Sequence, residues 1–367
     1  MKYIKYYLGV AVLSFLGCIQ VVAQDVQNSR KMSQKVVCTQ TIGTTEVTIT
    51  YHSPLTKGRK IFGGIVPFDF TVDGKEYAWR AGSNNRTTIE FKHDVAVNGQ
   101  PLKAGKYGLV VLVSKTEWTF VFSSNLSWGA FQYSPENDVL RLPVKVEQLP
   151  HQEWLSYDFI NPGVEQVDLR LRWEKSGASF TISTDVNANI LSDLIAKEEK
   201  TNRDYRVLAI ETIQSDPSKM NEALSYLDQA MGGLDTLEER SQRYERFSIN
   251  VLQADLMIAS GDKKKGEKLK KETLASATGF DMYYYGLNTL MIKGDKEEAL
   301  RLLSDHAKRR PEDWQSFLAL GEYYVQNGDQ QKAVDNFERS FELAPDNWKN
   351  YARYLYLQNK LILDRGL

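Results

Sequence analysis

Two periodicities divide the chain. Between residues 36 and 183 apolar and polar positions alternate, as in Val47, Ile49 and Tyr51, in Leu155, Tyr157 and Phe159, and in Val167, Leu169, Leu171 and Trp173. A period of two is that of strands with one buried face. Turn signals separate these runs at Asp73-Gly74, Asn98-Gly99, Ala104-Gly105, Asn161-Pro162-Gly163 and Ser176-Gly177. Short strands with frequent tight turns and no helical pattern between them predict an antiparallel β-sandwich, with the apolar runs 107–113 and 118–122 as its central strands. After Asn187 the period becomes helical, with Ile190, Leu191, Leu194 and Ile195 on one stripe. Further on, Gly294-Asp295 recurs at Gly328-Asp329, Ala299 at Ala333, Leu303 at Phe337 and Pro311 at Pro345, thirty-four residues apart. Such a period predicts stacked helix pairs, each burying its apolar face against its neighbours. The fold class is therefore multidomain, all-β followed by all-α: an antiparallel β-sandwich over 33–186 and an α-solenoid over 187–367.

Within the helical part, Phe317, Leu320-Gly321, Tyr324, Ala333, Phe337, Ser340 and Pro345 fall at fixed spacing. This pattern resembles the tetratricopeptide family, with Phe317 where that family usually has Trp. A second unit holds Ala299, Leu303 and Pro311 but reverses the usual order at Gly286-Leu287. The two best units are 280–313 and 314–347. On the family's register their inner face carries Asp281, Tyr284, Asn288, Met291, Gln315, Leu318, Glu322 and Val325, a mixed apolar and acidic groove. The resemblance implies a protein or peptide partner. The groove lacks the Lys/Arg pair that would clamp a partner's C-terminal carboxylate. Two roles fit such an array: gripping a partner, or bracing the sandwich.

Composition narrows the classes. The chain has 367 residues, 42% apolar and 25% charged, which suits domains with real cores rather than disorder. A net charge of -1 provides no field for nucleic acid. The start, Met1-Lys2-Tyr3-Ile4-Lys5, is basic, and residues 8–22 are largely apolar, ending in Val21-Val22-Ala23. This reads as a signal peptide over 1–23 cleaved after Ala23, with 24–32 as linker. The run is short for a membrane span of ~20 residues. The alternative makes Cys18, in Phe15-Leu16-Gly17-Cys18, a lipid-modified N-terminus. Either way the protein is exported, periplasmic or secreted, or anchored as a lipoprotein. Cleavage leaves Cys38 alone, so no disulfide framework is expected. Four scattered histidines argue against a zinc site, and no metal or cofactor is expected.

The densest polar motifs lie in the β part: Tyr51-His52-Ser53-Pro54, then the run from Lys57 to Gly64, then the run from Trp79 to Thr88. Glycines beside Arg, Trp and Asn suggest loops that approach a ligand closely. The candidates are His52, Arg59, Trp79, Arg80, Asn84 and Arg86, whose guanidinium groups match planar oxyanions and suit a small anionic or glycan ligand. A blander reading ties Arg80 to loop carbonyls under Trp79. His52-Ser53 with His93 and Asp94 would be the set for hydrolysis, but adjacent Ser and His on a strand point apart, so no catalytic residue is assigned. Trp128 and Tyr133 could stack on a sugar or fill the core. The lysines of 263–271 read as a solvated helix face.

The run from Ile49 through Phe91, continued by Asn98-Gly99, Leu102-Lys103-Ala104-Gly105-Lys106-Tyr107, Glu117-Trp118-Thr119-Phe120, Trp128-Gly129-Ala130, Asp138-Val139-Leu140-Arg141 and Glu153-Trp154-Leu155, resembles the secreted bacterial family called domain of unknown function 2911. The resemblance spans roughly residues 33–184. It implies an exported envelope protein and brings no established activity. Two departures stand out: an acidic residue often follows the Asn, at the place of Asn85 here, and residues 68–76 look like an insertion before Trp79. The expected function is a non-catalytic exported binding or scaffolding module acting through its repeats. The alternative is a sandwich that binds, or hydrolyses, a small anionic or glycan ligand.

Overall fold

The computed structural model describes residues 33–127, 133–291 and 293–366; the expected signal peptide over 1–23 and Trp128 lie outside them. The chain divides into two units, one ending at Asp193 and the other beginning at Leu194.

In the first unit the predicted alternation becomes two antiparallel sheets. The chain runs through β1 (Gln34–Ile42), β2 (Thr45–Ser53), β3 (Thr71–Val72), β4 (Lys75–Glu76), β5 (Thr87–Phe91) and β6 (Val95–Val97). It continues through β7 (Gln100–Leu102), β8 (Gly105–Val113), β9 (Glu117–Ser123), β10 (Asp138–Lys145), β11 (Glu147–Ile160) and β12 (Gln166–Ser183). One sheet has the order β1-β2-β5-β8-β9-β10 and the other β11-β12-β6-β7, while β3 and β4 form a separate hairpin. The inward residues of both sheets share one core, in which Phe180 meets Phe120 and Phe122 edge-on at 4.9 and 5.7 Å. Each such buried ring contributes roughly 1.5–3 kcal/mol. The two apolar runs are β8 and β9, both interior strands. Ser176-Gly177 is not a turn. β12 runs through it as one strand, pairing Ser176 with Gln148 and Gly177 with Glu147; the register shifts follow, where β11 runs from Gln148 to Ser156 opposite β12 from Ser176 to Arg172, so the extra residues bulge out of β11. A first helix, α1 (Val186–Ala196), packs Val186 and Ile190 on this core. Burial pushes the Asp193 carboxyl up, but bonds from Lys92 (2.8 Å) and His93 (2.9 Å) outweigh it and hold the group at about 2.

The second unit is helical: α2 (Asn202–Ser215), α3 (Met220–Gly232), α4 (Glu239–Ala259), α5 (Lys263–Ser276) and α6 (Gly279–Met291), then α7 (Lys296–Arg309), α8 (Trp314–Gln326), α9 (Gln330–Leu343) and α10 (Asp346–Arg365). They pack as consecutive pairs, α2 on α3, α4 on α5, α6 on α7 and α8 on α9, with α10 against α9. The thirty-four-residue echo is a turn device. Gly294 and Gly328 take the left-handed conformation (φ 66 and 75) that residues with a Cβ avoid, and the next residue, Asp295 or Asp329, caps the following helix through the amide of Glu298 or Lys332. Close approach needs small residues as well: a Cβ on Gly321 would lie 2.6 Å from the Phe337 ring. Within the helical unit His306 fills the seam between successive helix pairs. Fully buried, it bonds Ser316 Oγ at 2.6 Å and the Ala277 carbonyl at 3.2 Å, linking α7, α8 and the turn before α6.

Candidate functional site

Between β2 and β5 the chain leaves the sheet for residues 54–86, and sheet geometry dictates where it is fastened. β5 pairs with β8 only as far as Leu109, which leaves the backbone groups of Val111 and Val113 to be satisfied. Trp79 exchanges both hydrogen bonds with Val111 (2.8 Å each), and Asp69 N–H donates to Val113 O (2.8 Å). Between those fastenings the hairpin β3–β4 turns at Asp73-Gly74 and stands out with Phe70 and Tyr77 in contact at its base (5.6 Å).

A cavity of about 400 Å³ opens beneath this hairpin. Trp79 and Trp173 stack in its wall, with ring centroids 6.1 Å apart and planes 14° apart. Phe70 and Tyr77 form the hairpin side, and Val111 and Val113 belong to β8. The polar lining is Arg59, Arg80, Ser33 and Ser83, and no carboxylate lines it among the described residues. Arg59 donates from Nε to Thr56 O (2.8 Å) and from Nη2 to Leu55 O (2.7 Å), while Arg80 donates from Nη1 to Asn84 O (2.8 Å).

Of the six loop candidates, Arg59, Trp79 and Arg80 therefore meet at one cavity, and His52, Asn84 and Arg86 do not line it. Asn84 (φ 54) donates its side-chain amide to Ser33 O at 3.2 Å. Arg86 is buried against Gly108 and donates to Asn125 O at 2.6 Å, and burial lowers its pKa. The hydrolytic set is dispersed. Ser53 Oγ donates to Leu155 O, His93 bridges Thr45 and Asp193, and Asp94 accepts from Lys103 and the Ala104 amide. Tyr133 bonds Asp138 and Arg141. Trp173, Phe70 and Tyr77 were not legible as site residues, because sheet pairing and the hairpin, rather than sequence proximity, bring them there.

In the helical unit the groove candidates separate by burial. Tyr284, Asn288 and Val325 are exposed, and Gln315 and Glu322 half-buried. Asp281 and Leu318 are buried and present nothing to a partner. Asp281 instead accepts from Thr278 N–H (2.9 Å) and Oγ1 (2.7 Å), closing the start of α6, and the Thr278-x-x-Asp281 spacing carries that signal in the sequence. The Met291 side chain lies outside the described residues. Glu322 accepts from Tyr283 OH at 2.9 Å, and burial raises its carboxyl above the usual range despite that bond. Tyr351 on α10, beyond the two predicted units, lies within electrostatic reach of Glu322 and Tyr284. Trp348, one turn earlier on the same helix, packs on Trp314 at 5.7 Å. Most of the lysine run of α5 is a solvated face, with Lys263 and Lys268 each pairing with a glutamate four residues on, but Lys270 is half-buried and donates to Asp255 on α4 at 2.9 Å.

Residues 33–182 match the family described as "Protein of unknown function (DUF2911)". Comparison with curated proteins finds no match. Three similar solved structures are all of MamA: a point mutant, the AMB-1 protein and the MSR-1 protein. They are 18, 17 and 16% identical, with TM-scores of 0.24, 0.25 and 0.21, and each covers 45% of this chain and 88, 83 and 98% of its own.

Proposed function

We propose that this chain, whose residues 33–182 carry the domain of unknown function 2911, is an exported, non-catalytic scaffold that holds a protein segment against its helical repeats. One observation carries the reading: Glu322 sits half-buried among Tyr283, Tyr284 and Tyr351, on helices α6, α8 and α10. Desolvation penalises its charged form, so a cation brought by a partner would recover charge–charge energy there, while exposed Tyr284, Trp348, Tyr351 and Val325 would accept apolar side chains. The matching partner is a cell-envelope protein presenting Lys or Arg beside apolar residues.

The test is capture from envelope extract by wild type and by the double variant Glu322→Gln/Tyr351→Ser, both confirmed as folded. A partner held by wild type and lost by the variant supports the reading; identical partner lists refute it. Export is tested on protein recovered from the cell envelope. A mature chain beginning at Gln24 supports a soluble exported form, and a lipid-modified Cys18 would make it a tethered one.

A further inference from the structure

The cavity lies wholly within the β unit and plays no part in the scaffold reading. We propose that it binds a small amphiphilic anion, a flat apolar body bearing one carboxylate. Its volume of about 400 Å³ is that of a small-molecule pocket.

The charge balance sets the sign of the ligand. Arg59 and Arg80 both line the cavity, no Asp or Glu does so among the described residues, and neither arginine has a carboxylate within ion-pairing distance there. Their bonds to the carbonyls of Thr56, Leu55 and Asn84 fix the guanidinium groups without neutralising them. Arg59 Nη1 and Arg80 Nε and Nη2 carry no hydrogen bond among the described residues, so donors remain for a planar oxyanion. Fixing them beforehand removes much of the ordering cost that a flexible arginine bears on binding. The Ser83 hydroxyl, on a lining residue, lacks a partner among the described residues, and rotating that side chain into the cavity would give it one on a ligand oxygen.

The walls set the rest of the ligand. Trp79, Trp173, Phe70, Tyr77, Ile65 and Val113 surround the arginines with apolar surface. Apart from the two arginines and two serines, the side chains offer little to the many hydroxyls of a neutral sugar. A flat hydrocarbon or aromatic body with a single anionic end satisfies both halves of the lining. The hairpin between Phe68 and Trp79 supplies one wall through Phe70 and Tyr77 at its base.

Titration calorimetry of the full mature chain with 2-naphthoate and its neutral isostere 2-naphthamide tests the proposal. The carboxylate is expected to bind saturably and at least about tenfold tighter than the amide, the scale of one charge-assisted hydrogen bond. Arg59→Gln and Arg80→Gln should each remove most of that preference by weakening naphthoate far more than the amide, and Phe70→Ser should weaken both ligands. Melting curves establish that each variant is folded. Should Arg80→Gln fail to fold, Arg80→Lys and the wild-type contrast between the two ligands decide. Equal affinity for carboxylate and amide, no saturable binding of either at millimolar concentration, or inorganic phosphate competing as well as naphthoate would each overturn the proposal.

Discussion

Gly321→Ala sets two known effects against each other at one atom. In an open helix the change stabilises, since glycine costs roughly 0.5–1 kcal/mol relative to alanine. Here the new Cβ would lie 2.6 Å from two ring carbons of Phe337 and 2.9 Å from a third. Phe337 is 2% exposed, so the ring has nowhere to swing. Overpacking a filled core costs roughly 1–3 kcal/mol, and a rigid ring at that distance belongs in the upper half of the range. The net expectation is a loss of about 1–2 kcal/mol. At roughly 2–4 °C per kcal/mol for a unit of this size, the helical melting temperature should fall by several degrees. Thermal melts followed by far-ultraviolet circular dichroism supply the measurement, with Gly232→Ala as the control. Nothing lies within 4 Å of a Cβ at Gly232, so that change should be neutral or stabilising. Shortening the ring side, in Gly321→Ala/Phe337→Leu, should recover part of the loss. If Gly321→Ala instead stabilises as much as the control does, close contact between α8 and α9 is not what the glycine provides.

Other outcomes follow from particular bonds. Burial lowers the His306 pKa; the unfolded imidazole takes up its proton near pH ~6.5, so its contribution is intact above that value and is lost as pH falls toward the folded pKa. Urea midpoints should therefore drop on acidification below about pH 6.5, and His306→Gln should flatten the drop; an unchanged pH profile would contradict this. Asp193, held at about 2, contributes above its unfolded value of ~3.9 and loses that contribution as pH falls through the window to about 2. Its partial exposure limits the effect of Asp193→Asn to under about 1 kcal/mol, read from acid-unfolding curves. Asp329→Ala removes the cap on α9 and should cost about 1 kcal/mol in urea melts, against a negligible effect for the exposed Asp335→Ala. Tyr157→Phe deletes a buried bond to Ala81 O, but Thr87 Oγ1 still donates to that carbonyl at 2.9 Å, so the loss should stay near roughly 0.5–1.5 kcal/mol.

What could be read from sequence was local. The Gly-Asp echo is legible because one residue needs a left-handed backbone and the next needs an acceptor side chain, and both demands act within one turn. Alternation located the strands for the same reason. Ser176-Gly177 misled because the glycine serves close packing inside a strand, where a Cβ would lie 2.6 Å from Leu149, and not a turn. Placing Asp281 in a groove overlooked Thr278 three residues earlier, which turns the acid inward as a cap. The cavity was half legible: Arg59, Trp79 and Arg80 lie on one excursion, but Trp173 reaches it only because β12 packs beneath, and no short-range pattern carries that. Arg86, six residues after Arg80, comes just before the inward-facing Thr87 at the start of β5, so alternation turns it to the other face of the sheet, over Gly108, where it donates to Asn125 O.

The paired bonds between Trp79 and Val111 isolate the hairpin mechanically from the sheet. Both ends of the excursion are clamped, at Asp69 and at Trp79, so the length and content of residues 71–76 can change without moving a single strand register. The β unit thus separates what must stay constant from what can diverge. Replacing β3–β4 with a two-residue turn should leave the melting of the sheets unchanged while reshaping the cavity wall, which makes this hairpin a graft point for altering what the domain recognises.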